Sequence, residues 1–374
     1  MSIEERSRAA LRSSEFTKAV NLQLPEDALS RGFPGFHHFI RAIAAHSPSD
    51  AGKVKRTRRK GPTDTTMMEI SKTQLGFLGL GLMGSRLSSR LHANGWQVQA
   101  WNRSPRKDEQ TAGQGVARAA SLASLCATAD VILSCLANDE AVQQVYFDPS
   151  GVLESARPGS ILLEMSTISW ALSQELHREA ARRRLRMLDL PIAGSTPAVE
   201  AGTITLLAGG DQATFEACTP IFETLARQWF LIGPGGSGVK MKLVVNLLLG
   251  VGMAAIAEAL SLGRHLDLPQ NVLLDVLSRS ATVAPAFLGK FPKIRNGDYS
   301  PEFPLQLMSK DLKLVSNAAP SAATPLAAAA EKLFAARVDS MGDLDLSAIA
   351  SESSDGMAPS VTAAPDGNAA SRAS

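Results

Sequence analysis

The pattern of apolar and polar positions changes character three times along the chain. Residues 1–66 show no sustained period and are broken by Arg31-Gly32-Phe33-Pro34-Gly35. From Gln74 onward, short apolar runs alternate with helix-period stretches. The runs are Leu75–Leu80, Trp96–Trp101, Ala129–Leu136, Gly159–Met165, Arg186–Leu190 and Thr203–Ala208. Leu75–Leu80 is apolar throughout rather than alternating, as expected for a parallel strand buried on both faces, whereas Trp96–Trp101 alternates. Strands separated by helices predict a doubly wound α/β domain of the Rossmann type. After Gly233-Pro234-Gly235-Gly236-Ser237-Gly238 the pattern becomes one long helix, from about Val239 to Arg264, and stays mostly helical to about Arg337. The predicted organisation is a disordered leader over 1–73, a dinucleotide-binding domain over 74–236, an all-helical domain over 237–350 and a disordered Ser-, Ala-, Gly- and Pro-rich tail over 351–374. The long helix joins the two folded parts.

Composition narrows the class. Of 374 residues, 45% are hydrophobic and 20% charged, as in an ordinary soluble protein. The net charge is only +2, so the body is not built for nucleic acid. Residues 1–66 carry 12 Lys and Arg against 7 Asp and Glu, including the run Lys53–Lys60. That run reads either as a solvated leader upstream of a true start at Met67 or Met68, or as a nuclear or nucleic-acid patch; the first reading is preferred. Glu4, Glu5 and the lack of an apolar segment argue against a signal peptide and point to a cytoplasmic protein, with a mitochondrial leader left open. Leu243–Gly263 approaches the length of a membrane span, but Asn246 and Glu258 within it favour a buried helix and no membrane partner. Three sparse cysteines (Cys126, Cys135, Cys218) and scattered histidines offer neither a disulfide framework nor a metal site.

The first unit of the ordered chain carries Gly79-Leu80-Gly81-Leu82-Met83-Gly84 between a strand and a helix. Glycines there permit a tight turn and close approach of a pyrophosphate, and the helix N-terminus adds N–H donors and a favourable dipole. In that context the pattern predicts a dinucleotide site. The second strand ends in Asn102-Arg103-Ser104. A site for NAD places an acidic residue there to hold the ribose hydroxyls. Neutral Asn102 beside a guanidinium suited to a 2′-phosphate favours NADP(H), with NAD(H) still possible.

Three further segments stand in order: Asp189–Thr203, with Ala193-Gly194-Ser195 inside it; Gly236-Ser-Gly-Val-Lys-Met-Lys242-Leu-Val-Val-Asn246; and Phe303 followed eight residues later by Asp311, preceded by Lys310. Together with the glycine loop they resemble the β-hydroxyacid dehydrogenase family, which includes 3-hydroxyisobutyrate dehydrogenases, tartronate semialdehyde reductases and glyoxylate/succinic semialdehyde reductases. The resemblance runs from about Gln74 to Ala350. It implies that Ala193, Gly194 and Ser195 grip a substrate carboxylate, with Ala193 standing where the family usually has Ser. It implies that Phe303, Lys310 and Asp311 reach the nicotinamide and substrate from the helical domain. Glu164-Met165-Ser166-Thr167 is similar to the family's D-x-S-T near the nicotinamide, with Glu164 and Trp170 replacing Asp and Pro, and Leu136 and Ala137 follow another strand end where cofactor contacts are expected.

Lys242 and Asn246 lie one turn apart on one helix face. A Lys ammonium beside a carbonyl oxygen can stabilise growing negative charge and donate a proton; neutral, it can remove a hydroxyl proton. The second role needs a pKa below the ordinary lysine value, which burial supplies. Asn246 can fix the lysine and bond the substrate, whereas Lys240 points elsewhere. The expected function is therefore NADP(H)-dependent interconversion of a small carboxylate-bearing aldehyde and its alcohol by a homodimer or homotetramer. Val245, where 6-phosphogluconate dehydrogenases have His, sets that enzyme aside. An imine reductase and a non-catalytic NADP-binding scaffold are the alternatives, and Lys242 argues against both.

Overall fold

The computed structural model describes residues 68–104, 115–319 and 321–351; the readings for the basic leader and the tail lie outside them. The chain first forms β1 (Gln74–Leu78), α1 (Leu82–Ala93), β2 (Gln97–Trp101), β3 (Ala117–Arg118), α2 (Leu122–Thr128) and β4 (Val131–Ser134). There follow α3 (Asp139–Phe147), α4 (Val152–Ser155), β5 (Ile161–Glu164), α5 (Trp170–Arg182), β6 (Arg186–Asp189) and β7 (Ile192–Ala193). Then come α6 (Thr196–Ala201), β8 (Ile204–Gly210), α7 (Gln212–Ala217), α8 (Thr219–Leu225) and β9 (Ala226–Gly233).

The strands form one sheet in the order β3-β2-β1-β4-β5-β6-β8-β7, with β9 pairing β8 on its other side. Strands β1 to β6 are mutually parallel. Side chains alternate across the sheet, and both faces are buried. Leu75, Phe77, Val131, Leu133, Ile161, Leu163 and Leu188 enter one core. Leu78, Ile132, Leu162 and Met187 enter the other. This explains the unbroken apolar runs: each side chain, on either face, gains roughly 1.5–3 kcal/mol from burial.

The structure trims the predicted strands and adds three. Trp96 is buried just before β2 and not in it; it follows Gly95, whose φ of 91° ends α1. β3 and β7 are two residues long, too short for a periodic signal. β9 is the larger omission. Only Trp229 to Ile232 in it are consecutively apolar, and such a short run before a glycine cluster does not declare itself. β8 runs antiparallel to β6 and β7, so the sheet is parallel from β3 to β6 and mixed at the far edge.

The helical part comprises α9 (Ser237–His265), α10 (Gln270–Arg279), α11 (Pro285–Leu288), α12 (Lys290–Asn296), α13 (Leu305–Ala318), α14 (Pro325–Ala335), α15 (Val338–Met341) and a final 3₁₀ turn, Leu346–Ala350. Its core gathers Met253, Leu260, Phe291, Leu305, Met308, Leu312 and Phe334. α9 is long and apolar enough to cross a membrane by length and composition alone. Here it packs Val239 against the sheet and Met253 and Leu260 into the helical core.

Candidate functional site

Parallel register sets the site. Trp101, Leu78, Ser134, Glu164 and Asp189 end their strands and lie side by side across the sheet. The loops that follow therefore begin on one line, at the carboxyl ends of the strands. β1 lies between β2 and β4, where the order of connections reverses and a crevice opens.

In the first of these loops, Gly79 has φ 88°, and a Cβ there would meet the Cys135 carbonyl at 2.4 Å. Gly84 packs so close to the loop that a Cβ would lie 2.0 Å from the Gly79 carbonyl. At Gly81 an added Cβ would meet nothing within 4 Å. Gly81 also caps α1 without a side-chain acceptor. Two glycines thus shape the turn and the third leaves an open approach to a helix N-terminus, an arrangement that fits a dinucleotide pyrophosphate. Leu80, Leu82 and Met83 complete this loop.

Asn102 belongs to the same loop. Its Oδ1 accepts from Leu80 N at 3.0 Å and its Nδ2 donates to the Ser104 carbonyl at 2.8 Å. The amide is thus committed to holding the glycine turn, a role the sequence did not reveal. Arg103 is surface-accessible and donates to Gln144 Oε1 at 2.5 Å.

The next two loops are tied together. Leu136 N donates to Ser166 Oγ at 2.7 Å, and Ser166 N donates to Glu164 Oε1 at 2.8 Å. Ser134 donates to the other Glu164 oxygen and bonds the Tyr146 hydroxyl at 2.7 Å. Burial pushes the Glu164 carboxyl above its ordinary range despite these hydrogen bonds. Ala137 lies next to Leu136, and Thr167 follows Ser166. The thiol of Cys135 is pushed up to about 12, chiefly by burial and also by Glu164, so it is no nucleophile at neutral pH.

The helical part meets these loops through α9 and α13. Lys242 is only 8% exposed, and Asn246 is fully buried one turn on. Asn246 Nδ2 donates to Asp311 Oδ2 at 2.5 Å. Lys310 Nζ donates to the Thr167 carbonyl at 2.5 Å and lies 2.9 Å from Asp311 Oδ1. Thus Asn246, Lys310, Asp311 and Thr167 are brought into one network. Burial pulls Lys242 down to about 8; the Asp311 charge opposes this and Lys310 assists it. Asn246 Oδ1 is buried and takes no hydrogen bond, leaving an acceptor for a ligand. Lys240 does point away: it is exposed and stacks 4.2 Å over the Trp170 ring.

Ala193 closes β7 opposite Thr205. Gly194 follows with φ 148°, where a Cβ would press on Ile204 at 2.9 Å. Ser195 begins α6 without using its hydroxyl as a cap, so that hydroxyl is uncommitted to the helix. Phe303 is half-buried against the helical core, and its N–H donates to Asp345 Oδ2 at 3.2 Å. Among the described residues, Phe303, Gly194 and Ser195 make no hydrogen bond or ion pair with Lys242.

Sequence reasoning missed two residues. Asp189, read only as the opening of a motif, is fully buried and heavily bonded. His177, one of the scattered histidines, is its partner at 2.9 Å. An acidic residue directly after the apolar pair Met187-Leu188 at a strand end was the available signal.

Comparison with known proteins gives a consistent picture. Residues 74–233 match the NAD-binding domain family of 6-phosphogluconate dehydrogenase, and residues 236–352 match the NAD-binding family of NADP-dependent 3-hydroxyisobutyrate dehydrogenase. The chain is 36% identical over 279 residues to glyoxylate/succinic semialdehyde reductase 1 of Arabidopsis thaliana, spanning 74% of this chain and 96% of that protein. It is 33% identical over 333 residues to the human cytokine-like nuclear factor N-PAC, spanning 84% of this chain but 60% of that one. Among solved structures, 3-hydroxyisobutyrate dehydrogenase of Mycobacterium tuberculosis with L-serine is 33% identical, with a TM-score of 0.65, covering 74% of this chain and 98% of that one.

Proposed function

We propose a function that proceeds from one fact: the chain belongs to the β-hydroxyacid dehydrogenase family and is an NAD(P)-dependent oxidoreductase acting on a CH–OH group. Within that class, it reduces a small carboxylate-bearing aldehyde, such as glyoxylate or a semialdehyde, with NADPH. The observation that carries this reading is Lys242: buried, one turn from Asn246, and pulled down to about 8.

A reduced nicotinamide dinucleotide held by the Gly79–Gly84 loop would supply the hydride that the carbonyl carbon accepts. As negative charge develops on the carbonyl oxygen, the Lys242 ammonium stabilises it and transfers its proton, leaving a neutral amine and an alcohol. Asn246 is oriented by Asp311, whose carboxylate accepts from Nδ2 and turns Oδ1 toward a donor, such as a substrate hydroxyl. Lys310, bonded to the Thr167 carbonyl, ties α13 to the loop after β5 and helps exclude water. Ser195 and the backbone around Gly194 hold the substrate carboxylate. Ala193 supplies no hydroxyl, which leaves that end of the pocket more apolar.

NADPH preference is supported by the residues after β2. The Asn102 amide is committed to Leu80 and Ser104 and offers no carboxylate to a ribose hydroxyl, while Arg103 presents a charge for a 2′-phosphate. Self-association as a dimer or tetramer is supported by an apolar stripe along α9, where Val244, Leu248 and Leu262 are 57%, 68% and 60% exposed.

The experiment is to follow NADPH absorbance with a panel of small aldehyde acids, comparing wild type with Lys242→Ala. Turnover by the wild type that is lost in the variant, with NADPH still bound, is the expected result. A wild type that binds NADPH but turns over no aldehyde acid contradicts the reading. A protein that binds NAD as tightly as NADP, with Arg103→Ala changing neither, contradicts the cofactor preference.

A further inference from the structure

α9 carries the site's lysine, so whatever fixes the start of α9 fixes the chemistry. The helix begins in a glycine cluster that supplies no side-chain cap of its own: Gly236 sits at the cap position with φ 89°. The first N–H groups of a helix need acceptors, and a buried start without them is costly. Here the acceptor comes from the sheet. Asp189, the last residue of β6, accepts from Gly236 N at 2.7 Å through Oδ1 and from Val239 N at 2.8 Å through Oδ2.

The remaining capacity of Oδ1 is taken by His177 Nε2 at 2.9 Å, from the middle of α5. The carboxylate is fully buried, and two backbones close around it. A Cβ at Gly209 would lie 2.4 Å from Oδ1, and one at Gly238 would lie 2.8 Å from Oδ2. His177 is itself wedged under the cluster, where a Cβ at Gly235 would meet its ring at 2.6 Å. The negative charge also faces the positive end of the α9 dipole.

Lys242 follows Val239 by three residues in an unbroken helix, so a shift or rotation at Val239 reaches the lysine undamped. Asn246 lies a further turn along the same face. We propose that Asp189, braced by His177, is a positioning residue that sets the height and rotational phase of α9 and thereby aims Lys242 and Asn246 at the reacting oxygen. This rests on the reading of Lys242 as the proton donor. Asp189 and His177 themselves touch neither substrate nor cofactor in this account.

The test uses the full chain and four variants: Asp189→Asn, His177→Leu, His177→Gln and, as reference, Lys242→Ala. NADPH affinity, kcat, KM and the pH dependence of kcat are measured with the best aldehyde acid. Asn keeps the shape of Asp but turns a donor toward one of the two α9 N–H groups. Misplacing a catalytic group by about 1 Å can cost up to about a hundredfold in rate. Asp189→Asn is therefore expected to lower kcat tenfold or more, to move the alkaline limb of the pH profile, and to leave NADPH affinity nearly unchanged. His177→Leu, which removes the brace, is expected to lower kcat several-fold. His177→Gln keeps an N–H donor and is expected to restore most of that loss.

A folded, NADPH-binding Asp189→Asn protein with wild-type kcat and pH profile overturns the inference. Should Asp189→Asn fail to fold, the half-buried His177 pair decides: equal kcat for His177→Leu and wild type overturns it, and a loss rescued by Gln supports it. An active Lys242→Ala protein overturns this inference together with the proton-donor reading. An inactive Lys242→Ala beside wild-type behaviour of the other three overturns this inference alone.

Discussion

Two lysines are equally buried in this molecule, each 8% exposed, and their surroundings differ completely. Lys290, at the start of α12, has Glu302 Oε2 and Asp345 Oδ2 both at 2.9 Å. Asp345 is satisfied in turn by Ser347 N and Oγ and by the N–H groups of Glu302 and Phe303. Burial pushes its carboxyl up, but the Lys290 charge and the Ser347 hydrogen bonds outweigh this and hold it low. Lys242 has no ion pair within reach among the described residues. The carboxylate that acts on it, Asp311, is already shared by Asn246 and Lys310. Matched carboxylates tie Lys290 into the structure; without them, burial loosens the hold of Lys242 on its proton and makes that amine available for chemistry.

Substitution separates the two lysines. The largest expected effect is Lys290→Met, which leaves Asp345 buried without its cation and should cost roughly 3–5 kcal/mol in denaturant unfolding. Lys242→Met should do the reverse. A shift from 10.5 to about 8 corresponds to about 3 kcal/mol of disfavoured charge at neutral pH, so this variant should be more stable than wild type while inactive. A destabilised Lys242→Met protein would place the two lysines in the same class.

The pH dependence separates them next. Between pH about 8 and 10.5 the unfolded chain retains a proton on residue 242 that the folded protein has released, so wild-type stability should rise across that window. Lys242→Met should lack that rise. In the same window aldehyde reduction, which needs the ammonium, should fall, and alcohol oxidation, which needs the amine, should increase. Both follow from initial rates in each direction.

The smallest expected effect concerns Glu164. Its raised carboxyl keeps a proton that the unfolded chain loses, so its contribution to stability declines as pH rises above the ordinary carboxyl range. Glu164→Gln should remove that decline and change stability near neutrality less than either lysine substitution, as chemical denaturation at two pH values would show.

Much of this was legible in the chain, because periodicity and glycine chemistry are local. Leu75–Leu80 and Ala129–Leu136 are apolar on both faces because helices cover both sides of the sheet, and Gly79, Gly81 and Gly84 declare a turn before a helix. The spacing of Lys242 and Asn246 puts them on one face whatever surrounds them. What escaped depends on contacts distant in sequence. Asn102 holds Leu80 from 22 residues away, and Asp189 accepts from Gly236, the cap residue of α9, 47 residues later. No period or motif spacing encodes such pairings. β9 escaped for a related reason: its place is set by pairing with β8 and not by its own pattern.

The central claim is best tested by titrating the lysine ε-carbons of ¹³C-lysine-labelled protein by NMR, in wild type and Lys242→Met. One resonance with a midpoint near pH 8, absent from the variant, is expected. A Lys242 resonance titrating near the free lysine value of about 10.4 would contradict that claim.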